Sequence, residues 1–136
     1  MKPLLLTLLA GSILLAAATP REFVLFENGK SDYAIVLPDA PTAEEEGAAR
    51  ELQEYFHKLT GVLLAVHPAS QKIAPAFVIG WTPQTENALG TTSESMMRDQ
   101  IRIKTRENGD IFITGATAFG IRYALAQFLE DFLGIR

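Results

Sequence analysis

Thr42-Ala43-Glu44-Glu45-Glu46-Gly47-Ala48-Ala49-Arg50-Glu51-Leu52-Gln53-Glu54-Tyr55-Phe56-His57-Lys58-Leu59-Thr60-Gly61 is the stretch whose reading decides the fold. Thr42 and Glu45 have the spacing of a capping box, in which each side chain takes up a free backbone N–H of the first turn. Glu44, Glu45 and Glu46 stand where the positive end of the helix dipole favours carboxylates. Ala48, Ala49, Leu52, Phe56 and Leu59 then recur every three or four residues and form one apolar face. Gly61 accepts the left-handed conformation that ends a helix. The spacing predicts an amphipathic helix over 42–60.

The flanks of this helix read as strands. Phe23-Val24-Leu25-Phe26 and Tyr33 to Leu37 are separated by the turn Glu27-Asn28-Gly29-Lys30, and Pro38 stops the second, which predicts a hairpin. Val62 to Val66, closed by His67-Pro68, reads as a third strand and Phe77-Val78-Ile79 as a fourth, ending at Gly80. Strand, helix and strand in succession predict a right-handed crossover, with the second and third strands parallel. Residues 81–100 are polar and read as irregular, with one short helical turn around Ser93 to Met97.

Parity decides the next turn. Ile101, Ile103, Ile111 and Ile113 all need one face of the sheet. A two-residue Asn-Gly loop would pair odd with even positions and split them. A three-residue loop, Glu107-Asn108-Gly109 with Gly109 left-handed, keeps them together and turns Arg102, Lys104 and Arg106 the other way. A second long helix is expected over 117–133, stopped by Gly134. Its stripe of Ile121, Leu125, Phe128 and Phe132 is widened by Phe119, Leu129 and Leu133 beyond the roughly 100° that one contact needs. Two arrangements account for such an arc: deep burial within its own domain, or contact with a sheet on one side and a second domain on the other. On the second, Phe119, Leu129 and Leu133 are the candidate domain-interface contacts. Together these elements predict an α/β (α+β) domain, a mixed β-sheet with two long helices on one face.

The first 18 residues read as an address. Lys2 precedes an apolar stretch, Leu4 to Ala18, that ends in Ala16-Ala17-Ala18. A positive start, an apolar middle and small residues at −3 and −1 predict a cleaved signal peptide, 1–18, and hence a secreted or periplasmic protein. A permanent anchor needs about 20 apolar residues. The remaining domain, 19–136, is long enough for a core without staples.

Composition and motifs exclude more than they assign. The 136 residues hold 12 Lys+Arg against 16 Asp+Glu, a net charge of −4 without a long basic run, which argues against nucleic acid as a partner. With no Cys, disulfides, thiolate metal sites and Cys nucleophiles are ruled out. His57 and His67 lie in no metal-binding spacing and read as surface residues, and no nucleophile-elbow, P-loop or dinucleotide motif occurs. No cofactor is expected. Carboxylates are the remaining acid/base candidates, and glycosidase chemistry needs two facing one sugar. Capping accounts for Glu44 to Glu46, a wet helix face for Glu130 and Asp131, and turns for Asp99 and Asp110, which leaves no catalytic pair. Trp81, the one tryptophan, follows a strand; its indole could stack on a sugar or pack on the domain's own loop. The basic row Arg102, Lys104, Arg106 reads as a solvated sheet face, with an anion site as the sharper alternative.

The order of these elements resembles a known domain. Tyr33-Ala34-Ile35-Val36-Leu37-Pro38, then Glu45 through Ala49-Arg50-Glu51-Leu52-Gln53-Glu54-Tyr55-Phe56 to Leu59-Thr60-Gly61, are followed by Phe77-Val78-Ile79-Gly80 and Ile101-Arg102-Ile103-Lys104. Ile113-Thr114-Gly115, Gly120-Ile121-Arg122-Tyr123-Ala124 and Phe128-Leu129-Glu130-Asp131-Phe132-Leu133-Gly134 complete the set, over roughly residues 22–136. The whole resembles the N-terminal domain of bacterial alpha-glucuronidases and the related domain that precedes the barrel in beta-N-acetylhexosaminidases. The resemblance implies a zincin-like layer without a metal site, whose two helices lie between its sheet and a (β/α)8 barrel that carries the catalytic carboxylates. The chain stops at Gly134-Ile135-Arg136, about where that family continues into its barrel, so no catalytic residue carries over. The expected function is a non-catalytic accessory domain of a secreted glycoside hydrolase of polysaccharide catabolism, its catalytic barrel missing from this chain. That barrel domain or a partner protein would cover it, with carbohydrate as a further ligand and no permanent membrane anchor. The alternative is a free-standing secreted module that binds carbohydrate or protein, with Trp81 as the contact.

Overall fold

The computed structural model describes residues 21–134 and, for residues 4–8, the backbone. The elements are β1 (Leu4–Leu8), β2 (Arg21–Phe26), β3 (Ala34–Leu37), α1 (Ala43–Thr60), β4 (Val66–Pro68), β5 (Ala76–Ile79), α2 (Pro83–Leu89), β6 (Ile101–Thr105), β7 (Ile111–Gly115) and α3 (Ala118–Leu133). Five strands form a mixed sheet in the order β4-β3-β5-β7-β6, parallel throughout except for the β6–β7 hairpin. This is an α/β fold with the two long helices, α1 and α3, packed on one face. Of the 18 residues expected to form a leader, β1 is described as a strand antiparallel to β2, and the others lie outside the described residues.

The first helix follows its sequence signals. Thr42 N–H donates to Glu45 Oε1 (2.9 Å) and Glu45 N–H to Thr42 Oγ1 (3.1 Å), closing the capping box. Gly61 is left-handed (φ 80°) and its N–H returns to His57 O. Glu45 is buried, and Gly80 makes room for it: a Cβ on Gly80 would overlap Glu45 Oε2, and the backbone there is left-handed (φ 88°).

The β6–β7 hairpin also has the expected geometry. Ile103 pairs with Ile113 and Thr105 with Ile111, and Arg106 N–H closes on Asp110 O (2.8 Å) around Glu107-Asn108-Gly109, with Gly109 at φ 95°. Odd residues of β7 therefore face α1 and α3, and even residues face away. The main core joins Ile35, Phe77, Ile79, Ile111 and Ile113 to Leu52 and Phe56 of α1 and to Leu125 and Phe128 of α3. Phe77 sits at its centre, with ring centroids 4.9 Å from Tyr33, 6.1 Å from Phe56 and 5.7 Å from Phe128. A smaller core on the opposite face holds Val36, Val78 and Phe112 against Ala69 and Ala88. Burying both faces is what a parallel sheet requires, and it explains the unbroken apolar runs of β3 and β5.

Three expectations fail. Phe23–Phe26 does not pair with residues 33–37: the Asn28-Gly29 turn forms, with both residues at positive φ, but supports a single bridge, Glu27 to Lys30, before the chain departs into the five-stranded sheet. A turn signal fixes a reversal of direction and not the partner of the strand it follows. The third strand lies at 66–68 and not 62–66, although it is parallel to β3 as expected. Leu64 is buried in the core from an irregular segment, so the apolar run records burial without extension into the sheet. Residues 81–100 contain a helix, α2, in addition to the short turn at Ser93–Ser95.

Candidate functional site

Helix α3 is set on the sheet by a close backbone approach. Thr117 caps it by accepting the Gly120 N–H (3.0 Å), and a Cβ on Gly115, at the end of β7, would meet the Gly120 carbonyl carbon at 2.5 Å. Gly115 and Gly120 together fix which side of α3 faces inward: Ile121, Ala124, Leu125, Phe128, Leu129 and Leu133 are all buried. Of the three candidate interface residues, Leu129 (3% exposed) and Leu133 (8%) belong to the domain's own core, so the first of the two arrangements accounts for them. The arc is wide because α3 packs against both the sheet and α1.

Phe119 is different. It is 75% exposed, and Tyr123, one turn further on, is 71% exposed; neighbours at a spacing of four, they form an aromatic ridge along the outer side of α3. Two hollows flank the ridge. One, of about 680 Å³, lies towards Arg98, Asp99, Ile101 and Gln127, and the other, of about 470 Å³, towards Glu44, Glu51, Arg122 and Ala126. Arg122 lines the second hollow and pairs with Glu51 of α1 (3.2 Å), and the bare Cα of Gly47 leaves space for its guanidinium. In the sequence Tyr123 stood out only within the Gly120–Ala124 stretch that carries the resemblance, and nothing there marked it as a surface contact.

The remaining candidates are dispersed. Trp81 is half-buried at the end of β5, with its indole N–H donating to Gly115 O (2.8 Å), which anchors the ring to the domain's own turn. His57 lies exposed near the end of α1, and His67 on β4 shares a hydrogen bond with Gln71 (2.8 Å). Among the described residues, no group of three or more His, Asp and Glu side chains is placed to hold a metal ion. Asp131 accepts a bond from Gln127 on the exposed side of α3, and Asp110 accepts the Ala76 N–H (2.9 Å) and an Asn108 amide N–H (3.0 Å). Among the described residues no helix is long and apolar enough to cross a membrane. The basic row divides: Lys104 donates to Ala88 O (2.8 Å), bracing α2, while Arg106 lines a cleft on the second face of the sheet.

No protein-family model matches this chain, and no curated protein matches it.

Proposed function

We propose that this chain is a non-catalytic accessory domain of a secreted glycoside hydrolase, zincin-like in architecture, docked through the outer side of α3 against the catalytic barrel. The Phe119–Tyr123 ridge carries the reading. Two adjacent aromatic rings more than two-thirds exposed on a helix are costly in water, and they are the residue types that anchor interfaces. Covering both would remove on the order of 250 Å² of surface, worth about 6 kcal/mol before the cost of association is met. A mixed sheet with two long helices on one face is also what the resemblance implies. The sequence signals for export in residues 1–18 fit an enzyme of polysaccharide breakdown. A free-standing carbohydrate-binding module has less support, because the Trp81 indole N–H is engaged by Gly115 O.

The test compares the full chain with a Phe119→Ser/Tyr123→Ser variant. The unaltered chain is expected to bind a hydrophobic dye or self-associate in sedimentation, to lose this in the variant at unchanged fold, and to hydrolyse no aryl-glycoside alone. Equal behaviour of the two proteins overturns the docking surface. Turnover that disappears on changing a carboxylate of this chain overturns the non-catalytic assignment. Mass spectrometry of the exported product is expected to show cleavage after Ala18.

A further inference from the structure

The five-stranded sheet ends at β6, and the outer edge of that strand carries unused backbone groups. Two bonds just outside the strand fix which residues face which way: Ala116 N–H donates to Gln100 O (3.0 Å) and Arg106 N–H to Asp110 O (2.8 Å). An antiparallel ladder alternates, so Arg102 and Lys104 turn their N–H and C=O towards β7. Ile101, Ile103 and Thr105 turn theirs outward, and among the described residues no strand, loop or side chain takes them up. Proteins protect such an edge by shortening it, bulging it, placing proline or charge in it, or covering it. β6 is five residues long, keeps one register with β7 from Ile101 to Thr105 and contains no proline. Its remaining protection is the charge of Arg102 and Lys104.

That charge selects a partner as well as excluding one. Ile101 and Ile103 lie on the face of α1 and α3, where both pack against the main core, and alternation puts Arg102 and Lys104 on the second face of the sheet. The strand holds no carboxylate, and the nearest in sequence, Asp99 and Glu107, lie beyond its two ends. Arg102 is exposed and has no ion-pair partner among the described residues. Lys104 donates to a neutral carbonyl, Ala88 O, and so keeps its charge. A second copy fits this edge badly. Antiparallel pairing of two β6 strands about Ile103 sets Arg102 opposite Lys104, and pairing about Arg102 or Lys104 sets each opposite itself. Like charges directly opposite repel, whereas a carboxylate in the same place attracts. In strand addition the backbone supplies affinity and alternate side chains supply specificity. We infer that β6 is a docking edge for an extended segment of another protein, antiparallel to it, with carboxylates opposite Arg102 and Lys104 and β-branched residues beside Ile101 and Ile103.

The inference does not rest on the docking ridge, because its donors and acceptors are backbone groups of β6 and none belongs to α3. The test titrates the full chain with three peptides, followed by amide chemical shifts and hydrogen exchange. The first is acetyl-Glu-Val-Glu-Val-Glu-Val-Glu-amide, the second carries lysine for every glutamate, and the third is the acidic peptide N-methylated at its valines. In the free chain the amides of Ile101, Ile103 and Thr105 are expected to exchange fast and those of Arg102 and Lys104 slowly. The acidic peptide is expected to bind at millimolar concentration or below, to slow the first three amides, and to bind at least about threefold more tightly than the basic one. N-methylation removes the donors that meet the edge and is expected to abolish binding. Arg102→Glu, at an exposed position, is expected to weaken the acidic peptide about three- to tenfold and to strengthen the basic one. No binding of the acidic peptide at millimolar concentration, equal affinity for the two charges, binding that survives N-methylation, or unaltered affinity in Arg102→Glu each overturns it. Slow exchange of Ile101, Ile103 and Thr105 in the free chain also overturns it, and slowing that grows with protein concentration assigns the edge to a second copy instead.

Discussion

Gly115 and Gly120 meet backbone to backbone, so closely that a methyl group on Gly115 would have the Gly120 Cα at 2.7 Å and its carbonyl carbon at 2.5 Å. The contact is the hinge point between β7 and α3, the pair on which the main core closes. Neither atom belongs to a flexible side chain that could move aside. Gly115→Ala is expected to destabilise by about 3 kcal/mol in urea unfolding, since the strand or the helix must shift. Gly120→Ala is expected to cost much less: its added carbon would lie 3.3 Å from the Gly115 Cα, and alanine is the better helix former by about 1 kcal/mol. Equal losses at the two positions would contradict this geometry.

Tyr33 makes a second prediction, in alkaline solution. Its hydroxyl donates to Gly109 O at 2.6 Å, tying the start of β3 to the hairpin end, and the residue is only 6% exposed. Burial, with a smaller push from the Asp110 charge, raises its pKa from 10.0 to about 12. Below pH 10 folded and unfolded chains both carry the proton; between 10 and 12 the unfolded chain releases it first. Stability therefore falls as pH rises through that window. Tyr33→Phe is expected to cost about 1 kcal/mol at neutral pH and to lose this part of the alkaline slope. Identical slopes for both proteins in denaturation series from pH 9 upward would refute it.

Thr114 is buried on the cleft side of β7, and its hydroxyl has no hydrogen-bond partner. Thr114→Val keeps the shape, removes an unsatisfied group and suits a strand. The expected change is a gain of about 1 kcal/mol by chemical denaturation. A loss of that size would mean that the hydroxyl is satisfied in solution.

Leu129 and Phe119 separate core from surface on one helix. Leu129→Ala is expected to cost about 2–5 kcal/mol through the cavity left behind, and Phe119→Ala to stay within about 0.5 kcal/mol. Thermal unfolding of the two variants decides it; a large loss at Phe119 would show that the ring packs against the domain itself.

Local signals were enough for much of this fold. Thr42, Glu45 and Gly61 mark their helix because capping is an interaction within a few residues, and the parity of the four isoleucines selects the 107–109 loop because a strand alternates strictly. Partnering is not local. Nothing within Phe23–Phe26 says which strand it lies beside, and the Asn28-Gly29 turn misleads because its reversal is real. Helix α2 had its boundary residues in view, Thr82 before Pro83 and Gly90 after Leu89, but seven residues that bury only Thr85 and Ala88 show no apolar stripe. On α3, Leu129 and Phe119 belong to one broad arc in sequence, and only the position of α1 decides which is covered. The cleft draws on residues from five separate segments. Arg106 was visible as a basic residue on the far side of the sheet, while Lys72 and Gln84 join it through the fold alone.

Strand β7 separates two chemistries one residue at a time. Ile111 and Ile113 answer to the helices, Phe112 to the smaller core and the cleft beside it, and the strand pairs on both edges, so none of these three side chains serves both compartments. Such a partition lets the two compartments be retuned separately: a library varying residue 112 would reshape the cleft floor without disturbing the packing under the helices, and one varying 111 and 113 would do the reverse.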